Sequence, residues 1–90
     1  MYKKQVIITN PSGLHARPGS DFVNLSKQFE STIKIHRIDK PEKVANAKSI
    51  VFVLSLGIKK NMTVEIEANG PDEEEAVNQL VAIIESGFGE

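Results

Sequence analysis

Hydrophobic positions in this chain repeat with two different periods, and the changes of period mark out its elements. Residues Lys4 to Thr9 carry three consecutive β-formers, Val6, Ile7 and Ile8. They run into Asn10-Pro11-Ser12-Gly13, which predicts a strand followed by a loop. From Ala16 to Phe29, residues Phe22, Leu25 and Phe29 fall at i, i+3 and i+7, with Val23 and Ala16 beside the stripe. That spacing predicts a helix of about three to four turns, and Pro18 sits in its first turn, where a missing N–H costs little. Thr32 to Ile38 alternates with period two and is the clearest strand. Asp39-Lys40-Pro41-Glu42 is a turn, and Lys43 to Ala45 a short returning strand.

The run Ile50-Val51-Phe52-Val53-Leu54-Ser55-Leu56-Gly57 has two readings. Its composition suits a buried strand, whereas Ser49 before it and Gly57 at its end are the caps of a short helix. Periodicity does not decide between them. Met62 to Ala68 alternates again, and Asn69-Gly70-Pro71-Asp72 turns the chain. The last segment, Asp72 to Ser86, is a helix with its stripe at Ala76, Val77, Leu80, Val81 and Ile84. With the capped run as a helix the order is βαββαβα. Its natural solution is an α+β fold: a four-stranded antiparallel sheet with three helices on one face, in a split βαβ topology.

Ninety residues, without repeats or linkers, predict one domain over 1–90 with a modest core. There is no cysteine, so neither a disulfide framework nor a thiolate metal site arises. The apolar stretch behind Lys3 and Lys4 is too short for a secretory signal, which needs about 7–15 apolar residues. The longest apolar run, Ile50 to Leu54, falls far below the ~20 residues that span a bilayer. A soluble, cytoplasmic protein without membrane insertion is expected. Eleven basic residues stand against 12 acidic ones, for a net charge of −1. No Lys/Arg block tracks a phosphate backbone, so nucleic-acid binding is not expected. Any phosphate chemistry must come from a local site.

One stretch offers it: Ser12-Gly13-Leu14-His15-Ala16-Arg17-Pro18, where a histidine sits at the entry of a helix. A helix N-terminus presents unpaired N–H groups, here those of Ala16 and Arg17, and a partial positive charge that receives an anion. Neutral imidazole is a competent nucleophile near neutral pH. Arg17 can fork onto phosphate oxygens, and Gly13 lets the loop curl close to the ring. Spacing alone leaves a second reading open, in which His15 is an exposed bystander or a weak cap.

Gly13-Leu14-His15-Ala16-Arg17-Pro18 resembles the active-site signature of the HPr family, the histidine-containing phosphocarriers of the bacterial sugar phosphotransferase system. Asn46-Ala47-Lys48-Ser49-Ile50, followed by Leu54-Ser55-Leu56-Gly57, resembles the family's second signature, a regulatory serine and the short helix after it. The resemblance covers essentially the whole chain. It implies an open-faced β-sandwich and a monomeric carrier that is not itself an enzyme. Enzyme I, charged by phosphoenolpyruvate, would phosphorylate His15 on Nδ1. His15 would pass the group to the IIA components of sugar permeases, with Arg17 contacting the phosphoryl oxygens. Ser49 would be a regulatory position, which brings an HPr kinase and a catabolite-control transcription factor in as partners. Two rival roles keep the fold: a paralogue feeding a regulatory phosphorelay, and a pure regulator binding a transcription factor. A ferredoxin-like binding module without phosphate chemistry would leave the first signature unexplained.

Three features depart from the family pattern. Gly19 and Ser20 follow Pro18 where alanine or threonine is common, and a helical glycine costs about 1 kcal/mol relative to alanine. Val51 and Phe52 replace methionine and glycine on a partner-facing surface, and Ile38 to Lys43 is longer than the usual tight turn. Exposed aliphatics near a reactive centre mark partner surfaces, so Leu14, Ile50, Val51 and Leu54 are expected to form a docking patch. For Ile50, Val53 and Leu54 a core role is the alternative. His36 reads as an exposed strand histidine. Asp72, Glu73, Glu74 and Glu75 read as solvated charge favoured by the helix dipole, and neither metal nor cofactor is expected.

Overall fold

The computed structural model describes all 90 residues. Its elements are β1 (Tyr2–Ile7), α1 (Ala16–Ser26), β2 (Thr32–Arg37), β3 (Val44–Asn46), α2 (Ile50–Ser55), β4 (Thr63–Asn69) and α3 (Glu73–Glu85), followed by a single 3₁₀ turn over Gly87–Gly89. The strands form one antiparallel sheet in the order β1-β4-β2-β3, so β4 lies inside it although it comes last. Alternation decides which face is buried. Val6, Ile33, Ile35, Ala45, Val64, Ile66 and Ala68 point into a core completed by Phe22 and Val23 of α1 and by Ala76, Val77, Leu80, Val81 and Ile84 of α3. The other face shows cross-strand rows such as Lys3–Glu67–Lys34, in which opposite charges face one another.

The Ile50–Gly57 segment is the helix, and its apolar composition has a different cause from burial. Ser49 is its N-cap. Gly57 follows its end at φ +63, in the left-handed region a glycine enters freely. Arg37 Nη1 donates to the Leu56 carbonyl at 3.1 Å and Lys43 Nζ to that of Ser55 at 3.1 Å, so two cations serve the negative end of the helix. Val53 and Leu56 enter the core, whereas Ile50, Val51, Phe52 and Leu54 remain exposed. The run is apolar because half of it forms a surface.

Helix α1 ends at Ser26, short of the predicted Phe29. Ser26 Oγ donates to the Phe22 carbonyl at 2.9 Å, and the chain tightens through Gln28 N–H to Leu25 O and Phe29 N–H to Ser26 O. Phe29 is buried all the same, because the loop continues the stripe. In the 38–43 hairpin two turns follow one another, Lys40 N–H to Arg37 O and Lys43 N–H to Lys40 O. Arg37 forks onto the Asp39 carboxylate through Nε and Nη2, and that bond holds the Asp39 carboxyl below its usual range.

Two sequence expectations need correction here. His36 is not an exposed histidine: its side chain is 17% exposed, because it is wedged between β3 and β4, with Nε2 3.6 Å from Glu65 Oε1. Nor is the acidic turn before α3 all solvated charge. Asp72 accepts hydrogen bonds from Ser31 Oγ, from the Glu30 N–H at 2.9 Å and from the Ser31 N–H at 3.0 Å. Glu73 accepts from the Gly70 N–H at 3.1 Å. Asp72 therefore ties the α1–β2 turn to the start of α3, and only Glu74 and Glu75 are exposed, Glu75 accepting from Gln79 Nε2 at 3.0 Å.

These donors, Ser31 Oγ first, hold the Asp72 carboxyl below the ordinary aspartate range. A carboxyl whose pKa is lower in the folded state contributes stability that is complete above its unfolded pKa. That contribution is lost as pH falls through the lowered folded value. Asp72→Asn should lower the urea midpoint at neutral pH, and the gap from wild type should close progressively in acid. Urea titrations of both proteins across this range check it; a gap that persists unchanged in strong acid would assign the loss to packing instead.

Candidate functional site

The approach to His15 is built from beneath. After β1 the chain keeps a strand-like bond, Ile8 N–H to Met62 O at 2.9 Å, and receives Asn61 N–H on Ile8 O at 2.7 Å. Asn10 closes the following turn from both sides: its carbonyl accepts the Gly13 N–H, and its Nδ2 donates to the Gly13 carbonyl at 2.9 Å. Leu14 N–H then donates to Ile58 O at 3.1 Å. Gly13, at φ +61, lies so close to the 58–59 chain that a Cβ would stand 2.4 Å from the Ile58 carbonyl oxygen. The glycine thus serves the contact with this neighbouring segment, whereas the sequence suggested a contact with the imidazole ring.

Leu14 is fully buried, which corrects its placement in a docking patch. It is the plug beneath the site, and burying it contributes about 1.5–3 kcal/mol. One residue later the chain surfaces. His15 is the N-cap of α1 in extended conformation (φ −118, ψ 163), and its ring makes no capping bond to the helix. Its carbonyl accepts the first helical bond, from the Gly19 N–H at 3.4 Å. The His15 side chain is half-buried and keeps its ring nitrogens without a protein partner.

Ala16 makes the corner. Its φ of +52 puts a non-glycine residue in the left-handed region, at a cost of about 1–2 kcal/mol. Strain of this kind persists only where the surroundings impose it, and here the buried Leu14 on one side and buried Pro18 on the other fix both ends of the bend. The N–H groups of Ala16 and Arg17 have no acceptor within the protein, so the corner presents two unpaired donors beside the imidazole. Arg17 is 91% exposed, with Nε 4.0 Å from Asp21 on the next turn of helix. An anion at this corner would meet an imidazole, two free amide donors and an exposed guanidinium.

Helix α2 stands beside α1: a Cβ on Gly19 would lie 3.3 Å from Leu54 Cδ2 and only 2.8 Å from the Leu14 carbonyl oxygen. The position has no room to spare, so the helix-propensity cost of Gly19 comes with a tight fit of α1 onto the chain beneath. Ile50, Val51 and Leu54 are exposed together with Phe52, at 70% for Val51 and 59% for Phe52. The two signatures found in the sequence thus form one surface, while Val53 belongs to the core. Ser49 Oγ accepts the Phe52 N–H at a long 3.5 Å. Asn10 and Glu90, which bond within the loop that leads to His15, were not singled out from the sequence. Asn10 looked like an ordinary turn former, and Glu90 carries no local signal because its contacts lie about 80 positions away.

No helix is long and apolar enough to cross a membrane, and no three His, Asp or Glu side chains converge. Residues 2–86 match the family profile described as the PTS HPr component phosphorylation site. The phosphocarrier protein HPr of Mycoplasma pneumoniae is 42% identical over 85 residues, 94% of each chain. A multiphosphoryl transfer protein of Vibrio cholerae is 45% identical over 83 residues, 92% of this chain but 21% of that protein. The chain thus spans about a fifth of the length of the multiphosphoryl transfer proteins it matches. The crystal structure of HPr-C-His from Thermoanaerobacter tengcongensis superposes with a TM-score of 0.94 at 43% identity, covering 100% of this chain and 98% of that one. That backbone is the open-faced sandwich with its four-stranded antiparallel sheet and three helices. Agreement in profile, in identity along nearly the full length and in backbone has one explanation, which is descent: the chain belongs to the HPr family of phosphocarriers of the phosphotransferase system.

Proposed function

We propose that this chain takes a phosphoryl group onto His15 Nδ1 from phosphoenolpyruvate-charged enzyme I and delivers it to IIA components of sugar permeases. The observation that carries this reading is the corner itself: an uncommitted imidazole beside two unpaired amide donors, on a buried footing. The transfer is a displacement at phosphorus. The lone pair on Nδ1 forms the N–P bond as the bond to the donor breaks, and delivery reverses the step on the acceptor. Nothing is oxidised or reduced. Such transfers depend chiefly on alignment and on stabilising the equatorial oxygens, for which the N–H groups of Ala16 and Arg17 and the Arg17 guanidinium are suited. The carrier is changed and restored in each cycle, so it acts as a relay rather than as an enzyme.

Two partners must dock in turn, which requires the reacting nitrogen to be exposed and a surface beside it to be sticky. Ile50, Val51 and Leu54, joined by Phe52, supply that apolar surface. Ser49 stands at its edge, and its phosphorylation by an HPr kinase would regulate docking by adding about two negative charges there.

Incubation with phosphoenolpyruvate and enzyme I should load one phosphoryl group, labile in acid, detected by intact mass. His15→Ala should abolish loading without loss of fold. Arg17→Ala should slow transfer by about one to three orders of magnitude at an unchanged melting temperature, since the side chain has almost nothing to pack against. A His15→Ala protein that still loads, or an Arg17→Ala protein with normal transfer and a depressed melting temperature, would reverse these roles.

Ser49 should accept one phosphoryl group from ATP and an HPr kinase with little change in melting temperature, because the bond it would give up is already long. Loaded Ser49 should then slow transfer from enzyme I. Absence of incorporation would leave the hydroxyl as a cap alone, and a large drop in melting temperature would contradict a surface mechanism.

A further inference from the structure

The segment after α3 folds back onto the loop that delivers His15. Gly87, Phe88 and Gly89 all have positive φ, at 74, 55 and 79. Two glycines enter that region freely, whereas Phe88 is held there while it packs against the core. The triple reversal brings Glu90 to the site loop. Its Oε1 accepts Asn10 Nδ2 at 3.0 Å and the Ser12 N–H at 3.2 Å, and its Oε2 accepts Ser12 Oγ at 2.8 Å. Three donors on one carboxylate make a charge-assisted clasp, and they hold the Glu90 carboxyl below its ordinary range.

The clasp holds the loop from one side, while the 58–62 segment holds it from the other. Asn10 Nδ2 carries two protons, one directed to Gly13 O and the other to Glu90, so both are committed. Ser12 has no other side-chain partner. Beyond Ser12 come only Gly13 and Leu14 before His15, held by the Asn10–Gly13 bonds, the Leu14–Ile58 bond and the burial of Leu14. The Asn10–Gly13 turn therefore has two anchors, the 58–62 segment on one side and Glu90 on the other.

We infer that Glu90 is a positioning residue for phosphoryl transfer at His15: by clasping Asn10 and Ser12 it fixes the turn from which the imidazole is presented. The inference rests on the phosphocarrier reading. It predicts an effect on turnover rather than on docking, because the exposed apolar surface lies on α2 and the clasp does not touch it. Small misplacements of a reacting group carry large penalties, up to about a hundredfold per ångström.

The test compares wild type with Glu90→Ala, Glu90→Gln, Ser12→Ala and the Ser12→Ala/Glu90→Ala double variant. Transfer from phosphoenolpyruvate-charged enzyme I and amide exchange by NMR are both followed. Glu90→Ala should lower kcat by about tenfold, with KM for the carrier within about twofold. Glu90→Gln, which keeps one acceptor oxygen, should fall between. The Ser12 and Gly13 amides should exchange faster. The double variant should be no slower than the worse single one, because both remove the same contact. A kcat for Glu90→Ala within about twofold of wild type, whatever the exchange rates do, reduces the clasp to a structural detail and overturns the inference, as does full additivity in the double variant. Should wild type itself take up no phosphoryl group, the phosphocarrier reading fails first, and the exchange data still report separately whether the clasp holds the turn.

Discussion

Both edges of β4 are bonded, to β1 on one side and to β2 on the other. The segment that leads into it is thereby pressed against the chain that follows β1. Ile58 offers its carbonyl to Leu14, Met62 its carbonyl to Ile8, and Asn61 its N–H to Ile8. These bonds join parts of the sequence about fifty residues apart, and they set the level at which the chain must rise from the core to reach solvent. Leu14 is below that level and His15 is above it. The half-buried imidazole owes its place at the surface to the burial of its neighbour.

That arrangement resolves a conflict built into the proposed relay. The imidazole has to be open to two partners, yet an open loop moves, and transfer at phosphorus tolerates little movement. The structure separates the demands by depth. Underneath are a fully buried leucine, a glycine with no room for a side chain and a strained Ala16 held between buried neighbours. On top are free amide donors, a guanidinium in solvent and the apolar face of α2. Rigidity comes from the lower layer and access from the upper one.

The order of elements and the histidine corner were legible because both rest on local chemistry: periodicity over a few turns, a cap, a proline in a first turn. What escaped depends on contacts distant in sequence. Leu14 looks the same whether it faces a partner or plugs the core, and only the 58–59 chain decides. Asp72 sits in an acidic run whose other members are ordinary first-turn charges, and the Ser31 hydroxyl and amide that claim it lie 41 positions away. The Ile50–Leu54 run has the composition of a core strand although most of it is exposed, and composition cannot tell an apolar surface from a core. His36 had no signal of its half-burial, which comes from the strands on either side.

The strand order also has a temporal consequence. Since β1 finds its partner only in β4, the first strand and the turn after it have nothing to fold against until Thr63–Asn69 exists. Loop closure over that span is slow compared with formation of a helix or a local hairpin. During synthesis, α1 can form and β2 can meet β3 while His15 still dangles from an unpaired strand, without its footing. His15 is made before the 58–62 segment and β4, and its corner lacks its footing until both are in place. The proposed phosphoryl site is therefore complete only when the sheet is.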